Sequence, residues 1–455
     1  MKEVDGEHSG ENMAKYAMNV IIEYGIERNL GYFVTDNAPD NDAMMAPLSL
    51  ALRRDHKLQY DPLHYRIRCQ GHVINLAVKS FLFVTNKENI EEDRETNVFA
   101  TTIKDIEAWR KKGPLGKLHN FVVFLAQSTQ RLHHFLDLSG NHRIPRDNST
   151  HWNSWYMMLM TAWILRDAIE EFFDLYATPD LKADRLTDQE WATIRTIKDF
   201  LEKLSMSTKA CESKQSTLDL TLPSTDYILS LFEKLKAEHK DNPIFSPMFN
   251  SGWSKMDKYY RLSDDTPAYI AAIVLHPSRK WRYIERHWKS EWIAPAKASM
   301  RDFWEKKYKP SDETTTSSDP CLAKSPNEFF EWLKEDDDTL IGDEYSRYCA
   351  LPQVPGIKQG YRWWLEPTQQ TSFPNLSKMA LNILSIPAMS ADPERLFSGA
   401  KITISDRRNR LGIHTIEALE CLKSWLGIEA AVEDDIEDEY GDLVEEDEGV
   451  DLGGG

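Results

Sequence analysis

The sequence has no apolar run near the ~20 residues that a membrane-crossing helix needs; its longest, Phe121 to Ala126 and Tyr269 to Leu275, fall far short. Its first ten residues, MKEVDGEHSG, contain no apolar core of a secretory leader, so the chain is expected inside the cell, without membrane contact. It has no CxxC pair. Cys69, Cys211, Cys321, Cys349 and Cys421 are scattered, which argues against a disulfide framework or a four-thiolate zinc site and predicts free thiols. No internal repeat is present. Bases are missing from one stretch altogether: Glu429 to Gly455 holds 13 acids and no Lys or Arg. That segment repels itself and has too little apolar content to fold, so it reads as an acidic solvated tail, a basic partner being the alternative. The net charge of −18 therefore sits mostly in the tail, and the rest of the chain carries −5.

With 455 residues and 41% apolar content the chain can bury a sizeable core, in two to three domains or in one domain with a long insertion. Asn12 to Tyr24 places Ala14, Met18, Ile21 and Ile22 on one helical face, and Gly25 stands where a helix stops. GYFVT, residues 31–35, reads as a strand that delivers Asp36 to its carboxyl end, where open α/β sheets place ligands. In FVTDNAPDND, Asp36 is then either the acceptor of an Asx-type turn or a metal ligand, whereas Asp40 and Asp42 read as solvated turn acids. A second strand-to-helix passage runs from Arg66–Cys69 into a helix carrying Val73, Leu76, Ala77 and Ser80. From about Trp109 to Trp304 the pattern is almost wholly helical. Thr187 and Glu190 form a capping box there, Leu186 is placed to staple, and Trp191, Ile194, Ile197, Leu201 and Leu204 form the buried stripe. Lys309 to Pro326 reads as a polar loop. Farther on, Leu376, Met379, Ala380 and Ile383 mark a helix broken at Ile386-Pro387. Asp392 and Pro393 then start another, with Glu394 in its first turn, and a last helix from His414 to Trp425 is expected to bury Ile416, Leu419, Leu422 and Trp425.

Five stretches in this order, TDNAPDND at 35–42, CQGH at 69–72, THWNSWYMML at 150–159, AYIAAIVLHPSRKW at 268–281 and IPAMSADPERLFS at 386–398 with its DRRNRLG sequel, resemble the hAT family of DNA transposases, particularly fungal members. The resemblance runs from about His8 to Trp425. It implies an α/β fold: a ribonuclease-H-like core, truncated at its N-terminus and interrupted by a large all-α insertion. The corresponding boundaries are 1–80 for the first part of the core, 81–365 for the insertion, 366–428 for the second part with the dimerisation region, and 429–455 for the tail. It also implies catalysis by two aspartates and a glutamate holding Mg²⁺ or Mn²⁺, with Asp36 as the second aspartate and Glu394 as the glutamate, both metal ligands. The family's first aspartate, the first three strands and the N-terminal zinc-finger region have no counterpart in the sequence, and Asp5 is a poor substitute for the aspartate.

By the same resemblance His72 would touch a scissile phosphate and Trp152 would stack on a displaced base, although His151 replaces the family's usual Arg. The residues alone leave His72 equally a buried histidine at a strand-to-helix junction and Trp152 equally a core residue. Cys69 and His72 have no second pair to complete a zinc site. Arg407, Arg408 and Arg410 in DRRNR are candidate phosphate contacts. The basic and aromatic stretch Ser278 to Trp292 reads first as a solvated helix face. Leu396, Phe397, Leu419, Leu422 and Trp425 are core residues by pattern and dimerisation residues by resemblance. The resulting expectation is a nuclear, transposase-derived protein that binds transposon-end DNA and self-associates, with strand transfer lost. The alternatives are an active metal-dependent transposase whose N-terminus lies outside this sequence, or a helical interaction scaffold without DNA binding.

Overall fold

The computed structural model describes residues 9–84, 103–147, 152–213, 215–310, 342–390, 396 and 412–426. Glu394, Phe397, Arg407, Arg408, Arg410, the 429–455 tail and nearly all of the Lys309 to Pro326 loop lie outside them.

The first unit follows its local chemistry. Helix α1 (Gly10–Tyr24) starts at Ser9, whose hydroxyl accepts the Asn12 amide, and ends at Gly25 with φ 62°, a conformation glycine adopts without strain. Ala14, Met18 and Ile21 are buried against Met44, Met45, Leu48 and Leu52 of α2 (Pro39–His56). Ile22, expected on the same face, is instead 51% exposed, because it lies one step around the helix from Ile21. Strand β1 (Phe33–Thr35) pairs in parallel with β2 (Arg66–Arg68), Val34 opposite Ile67. These two short strands form the sheet among the described residues, so the expected α/β character is confined to a small part of a mainly helical chain.

Helix α3 (Gln70–Leu82) leaves β2 and enters the largest core, buried on most sides. It is followed by α4 (Ile103–Arg110), α5 (Pro114–Ala126), α6 (Thr129–Leu138), α7 (Trp152–Ile164), α8 (Arg166–Tyr176), α9 (Asp188–Glu212), α10 (Thr221–Glu238) and α11 (Phe245–Arg261). The capping box at Thr187 and Glu190 forms, Leu186 is buried, and all five residues of the expected α9 stripe are at most 1% exposed. Helix α11 approaches α3 and α10 closely because residue 252 is glycine; a Cβ there would lie 2.5 Å from Phe232 Cε1 and 3.0 Å from Phe81 Cβ.

A second core gathers α12 (Ala268–Val274), α13 (Lys280–His287), α14 (Ser290–Lys307) and the helices Glu344–Ala350, Gly360–Leu365 and Pro374–Leu384. Leu376, Met379, Ala380 and Ile383 are fully buried there, and the helix stops before Pro387 as expected. The last described helix, Ile413–Leu426, departs from its expected pattern: Ile416 is buried and Leu419 half-buried, but Leu422 is 48% and Trp425 79% exposed. Ile416 and Glu420 face inward, one turn apart, so the later apolar residues turn away from the body. No helix among the described residues is long and apolar enough to cross a membrane.

Candidate functional site

Three of the quoted stretches converge at the carboxyl end of the two strands. Cys69, just past β2, donates its amide to Thr35 O of β1 at 2.9 Å. The next residue, Gln70, donates to Ala388 O at 3.2 Å, and Cys69 Sγ accepts the Ser390 amide at 3.3 Å. The segment after Pro387 is held from its other side as well. Thr217 bridges Pro387, Leu218 donates to Ile386 O at 2.8 Å, and Ala388 donates to Ser216 O at 3.4 Å. The backbone that leads to Glu394 thus passes the CQGH turn, next to the strand that delivers Asp36.

At Asp36 the Asx-type turn forms. Its Oδ1 accepts the Ala38 amide at 2.9 Å and the Asn41 side-chain amide. Two arginines of β2 line the same turn. Arg66 donates to Thr35 O and Asp36 O and pairs with Asp42 at 3.2 Å; Arg68 reaches Asn37 Oδ1 at 3.2 Å and Asp42 Oδ2 at 3.3 Å. Burial lowers the Arg66 guanidinium from its ordinary value, and Asp42 opposes that shift. Asp42 is exposed, as expected of a solvated acid, and is also a counter-charge to two guanidinium groups, a role the sequence did not show. Among the described residues no three His, Cys, Asp or Glu side chains gather as a metal-ligand set. One carboxylate already committed to a turn and flanked by two cations does not by itself fit a divalent ion.

His72 is half-buried in the first turn of α3. Trp152 is 4% exposed, its amide donates to Asn75 Oδ1 at 3.1 Å, and its indole belongs to the main core. The basic stretch Ser278 to Trp292 divides. Arg279 pairs with buried Asp219, and Lys280 is 6% exposed, its amine donating to Tyr348 O at 2.7 Å and Leu351 O at 2.8 Å. These two cations hold the fold together, so the expected solvated face begins only at Arg282. Sequence reasoning passed over Arg66, Arg68 and Asn75. The first two had a signal in the charged residues that alternate in RIR directly before CQGH.

Residues 359–426 match the hAT family C-terminal dimerisation region, and residues 67–200 match the ZBED1 RNase-like helical domain. Among curated relatives, tpeD of Talaromyces stipitatus, named as a candidate transcriptional regulator, is 26% identical over 440 residues, 91% of this chain and 48% of its own. A candidate AC transposase of Zea mays is 25% identical over 452 residues, 93% of this chain and 52% of its own. The zinc finger BED domain-containing protein DAYSLEEPER of Arabidopsis thaliana is 24% identical over 292 residues, 62% of this chain and 40% of its own. The chain spans about half the length of these relatives or less. It is a relative of the hAT transposases and BED zinc finger proteins, and it carries the hAT C-terminal dimerisation region.

Proposed function

We propose that this chain is a transposase-derived nuclear protein that self-associates through its C-terminal region and binds DNA, with strand transfer lost. The observation that carries the reading is the outer face of the Ile413–Leu426 helix. Leu422, Trp425 and Leu426 recur at helical spacing, are exposed by 48%, 79% and 69%, and fall inside the segment that matches the hAT dimerisation region. Burying such a stripe against a second copy removes apolar area from water at ~25 cal/mol per Å². The DNA reading draws on the names of the relatives and on the basic DRRNR segment. His72 at the strand end is a candidate phosphate contact, and Trp152 a base-stacking residue only if it leaves its buried position.

In this reading 1–80 and 366–428 are the two parts of a ribonuclease-H-like core around a helical insertion at 81–365, with 429–455 as an acidic tail. One observation favours the second reading, a Mg²⁺- or Mn²⁺-dependent transposase. The Cys69 to Ser390 contact places the chain four residues before Glu394 beside the strand that ends at Asp36.

Light scattering after size exclusion tests the first half of the proposal. The full chain is expected to elute as a dimer or larger, and the Leu422→Ala/Trp425→Ala variant as a monomer with an unchanged melting temperature. A monomeric parent chain would refute self-association. Gel shift with transposon-end duplexes tests the second half, Arg407→Ala/Arg408→Ala/Arg410→Ala being expected to weaken binding and to flatten its salt dependence.

A further inference from the structure

Lys307, the last residue of α14, reaches the turn that precedes β2, residues 62–65, and so ties the second core to the first unit. Its amine donates to Tyr65 OH at 2.6 Å and lies 3.1 Å from His64 Nε2. Aromatic rings hem it in. Lys307 Nζ is 4.2 Å from the Tyr65 centroid and 5.5 Å from that of Phe303, Tyr65 stacks on Tyr60 at 4.2 Å, and His64 meets Phe303 at 5.4 Å. Burial drives Lys307 down to about 8, against the opposing charge of Asp61. Burial, with Lys307 alongside, likewise lowers His64 to about 4, so its ring is neutral and accepts a hydrogen from the amine. Both partners of the amine are therefore neutral, and among the described residues no carboxylate forms an ion pair with it. The Lys307 residue is nonetheless exposed. Lys280, driven down to about 8 as well, differs in access: it is 6% exposed and its amine is spent on two carbonyls.

We propose that Lys307 is a nucleophilic lysine and a site of acylation by small thioesters, with His64 as the base that serves it. A neutral amine has two N–H groups and one lone pair. Tyr65 OH and His64 Nε2 take the two hydrogens, which leaves the lone pair as the free position, on an exposed residue. At pH 7.5 an amine that titrates near 8 is unprotonated in roughly a quarter of molecules, against about a thousandth for an ordinary lysine. In the reaction the Lys307 nitrogen bonds to the acyl carbon and the carbon–sulfur bond breaks. The proton shed by the nitrogen passes to His64 Nε2 and from there to the departing thiolate. The product amide has one N–H in place of the amine's hydrogens, so it can keep Tyr65 or His64 but not both. Acylation thus loosens the tie between α14 and the turn before β2.

Incubating the full chain with acetyl-coenzyme A and following each lysine by peptide mass spectrometry tests the site. Lys306 is the internal control, because it is next in the chain and highly exposed but pairs with the Asp302 carboxylate at 2.9 Å. Lys307 is expected to be acetylated at least tenfold faster than Lys306 at pH 7.5, with a rate that is half-maximal near pH 8. In urea the two rates should become equal, which shows that the fold creates the difference. His64→Gln keeps a hydrogen-bond acceptor and removes the base; it should slow Lys307 several-fold, leave Lys306 unchanged and preserve the melting temperature. Acetylation of Lys307 no faster than Lys306, a preference that survives in urea, or the parent rate in His64→Gln would overturn the proposal.

Discussion

Cys69 Sγ takes the Ser390 amide across 321 positions of sequence, at 3.3 Å. Cys69 is 2% exposed, so removing the sulfur leaves that amide without its acceptor in a place that water reaches poorly. Cys69→Val is expected to lower stability by about 1–2 kcal/mol in urea unfolding, while Cys69→Ser, which keeps an acceptor, loses less. Equal losses in the two variants would mean that packing, and not this hydrogen bond, is what the residue supplies.

Asp36 makes two hydrogen bonds through one oxygen, and an amide can reproduce both as acceptor. Asp36→Ala should therefore destabilise the chain by roughly 1–2 kcal/mol and Asp36→Asn by clearly less, since Asp42 already answers Arg66 and Arg68. Thermal melts of the two variants decide this. If alanine were tolerated without loss, the turn would not be structural and the ligand role would gain.

His276 is 1% exposed, its Nδ1 accepts the Ser278 amide at 3.3 Å, and burial, with Arg279 alongside, pushes it down to about 4 from its ordinary 6.5. The folded chain thus keeps this ring neutral while the unfolded chain takes up a proton. Stability from this group is complete above pH 6.5 and is lost as pH falls toward 4. The loss is on the order of 1–3 kcal/mol. Unfolding curves collected from pH 7 to pH 4 should be flatter for His276→Asn than for the parent chain; parallel curves would contradict the assignment.

Lys280 sits at φ 49° and caps the Glu344–Ala350 helix with its buried amine, which also lies 4.0 Å from the Tyr348 ring centroid. Burial drives it down to about 8. Replacing it by methionine keeps the stem and strands two carbonyls, so Lys280→Met should cost about 2–4 kcal/mol. Denaturant titration measures it, and a loss under ~0.5 kcal/mol would mean that water replaces the amine at the helix end.

Elements whose pattern is local were legible in the sequence. The α9 cap and stripe, the Gly25 stop, the Asp36 strand end and the break at Pro387 all depend on neighbours within one or two turns. Residues whose role depends on distant partners were not. Nothing local distinguishes Lys280 as a helix cap, Asp42 as the counter-charge of a strand, or Trp425 as outward-facing. Each is decided by what packs beside it, and for Trp152 the pattern allowed both surface and core until Asn75 and the neighbouring helices fixed it inside.

The contact between the CQGH turn and the Pro387–Ser390 segment also sets an order of events during synthesis. At about 5–20 residues per second, a ribosome needs roughly 15–60 s to add the 321 positions that separate Cys69 from Ser390. Throughout that interval β1 and β2 lack the strap that later crosses their carboxyl end, while the helical middle, itself made in the interval, can collapse on α3 before the strap exists. Chaperone binding to this chain is therefore expected to peak on ribosomes stalled before Ser390 and to fall once the strap has emerged.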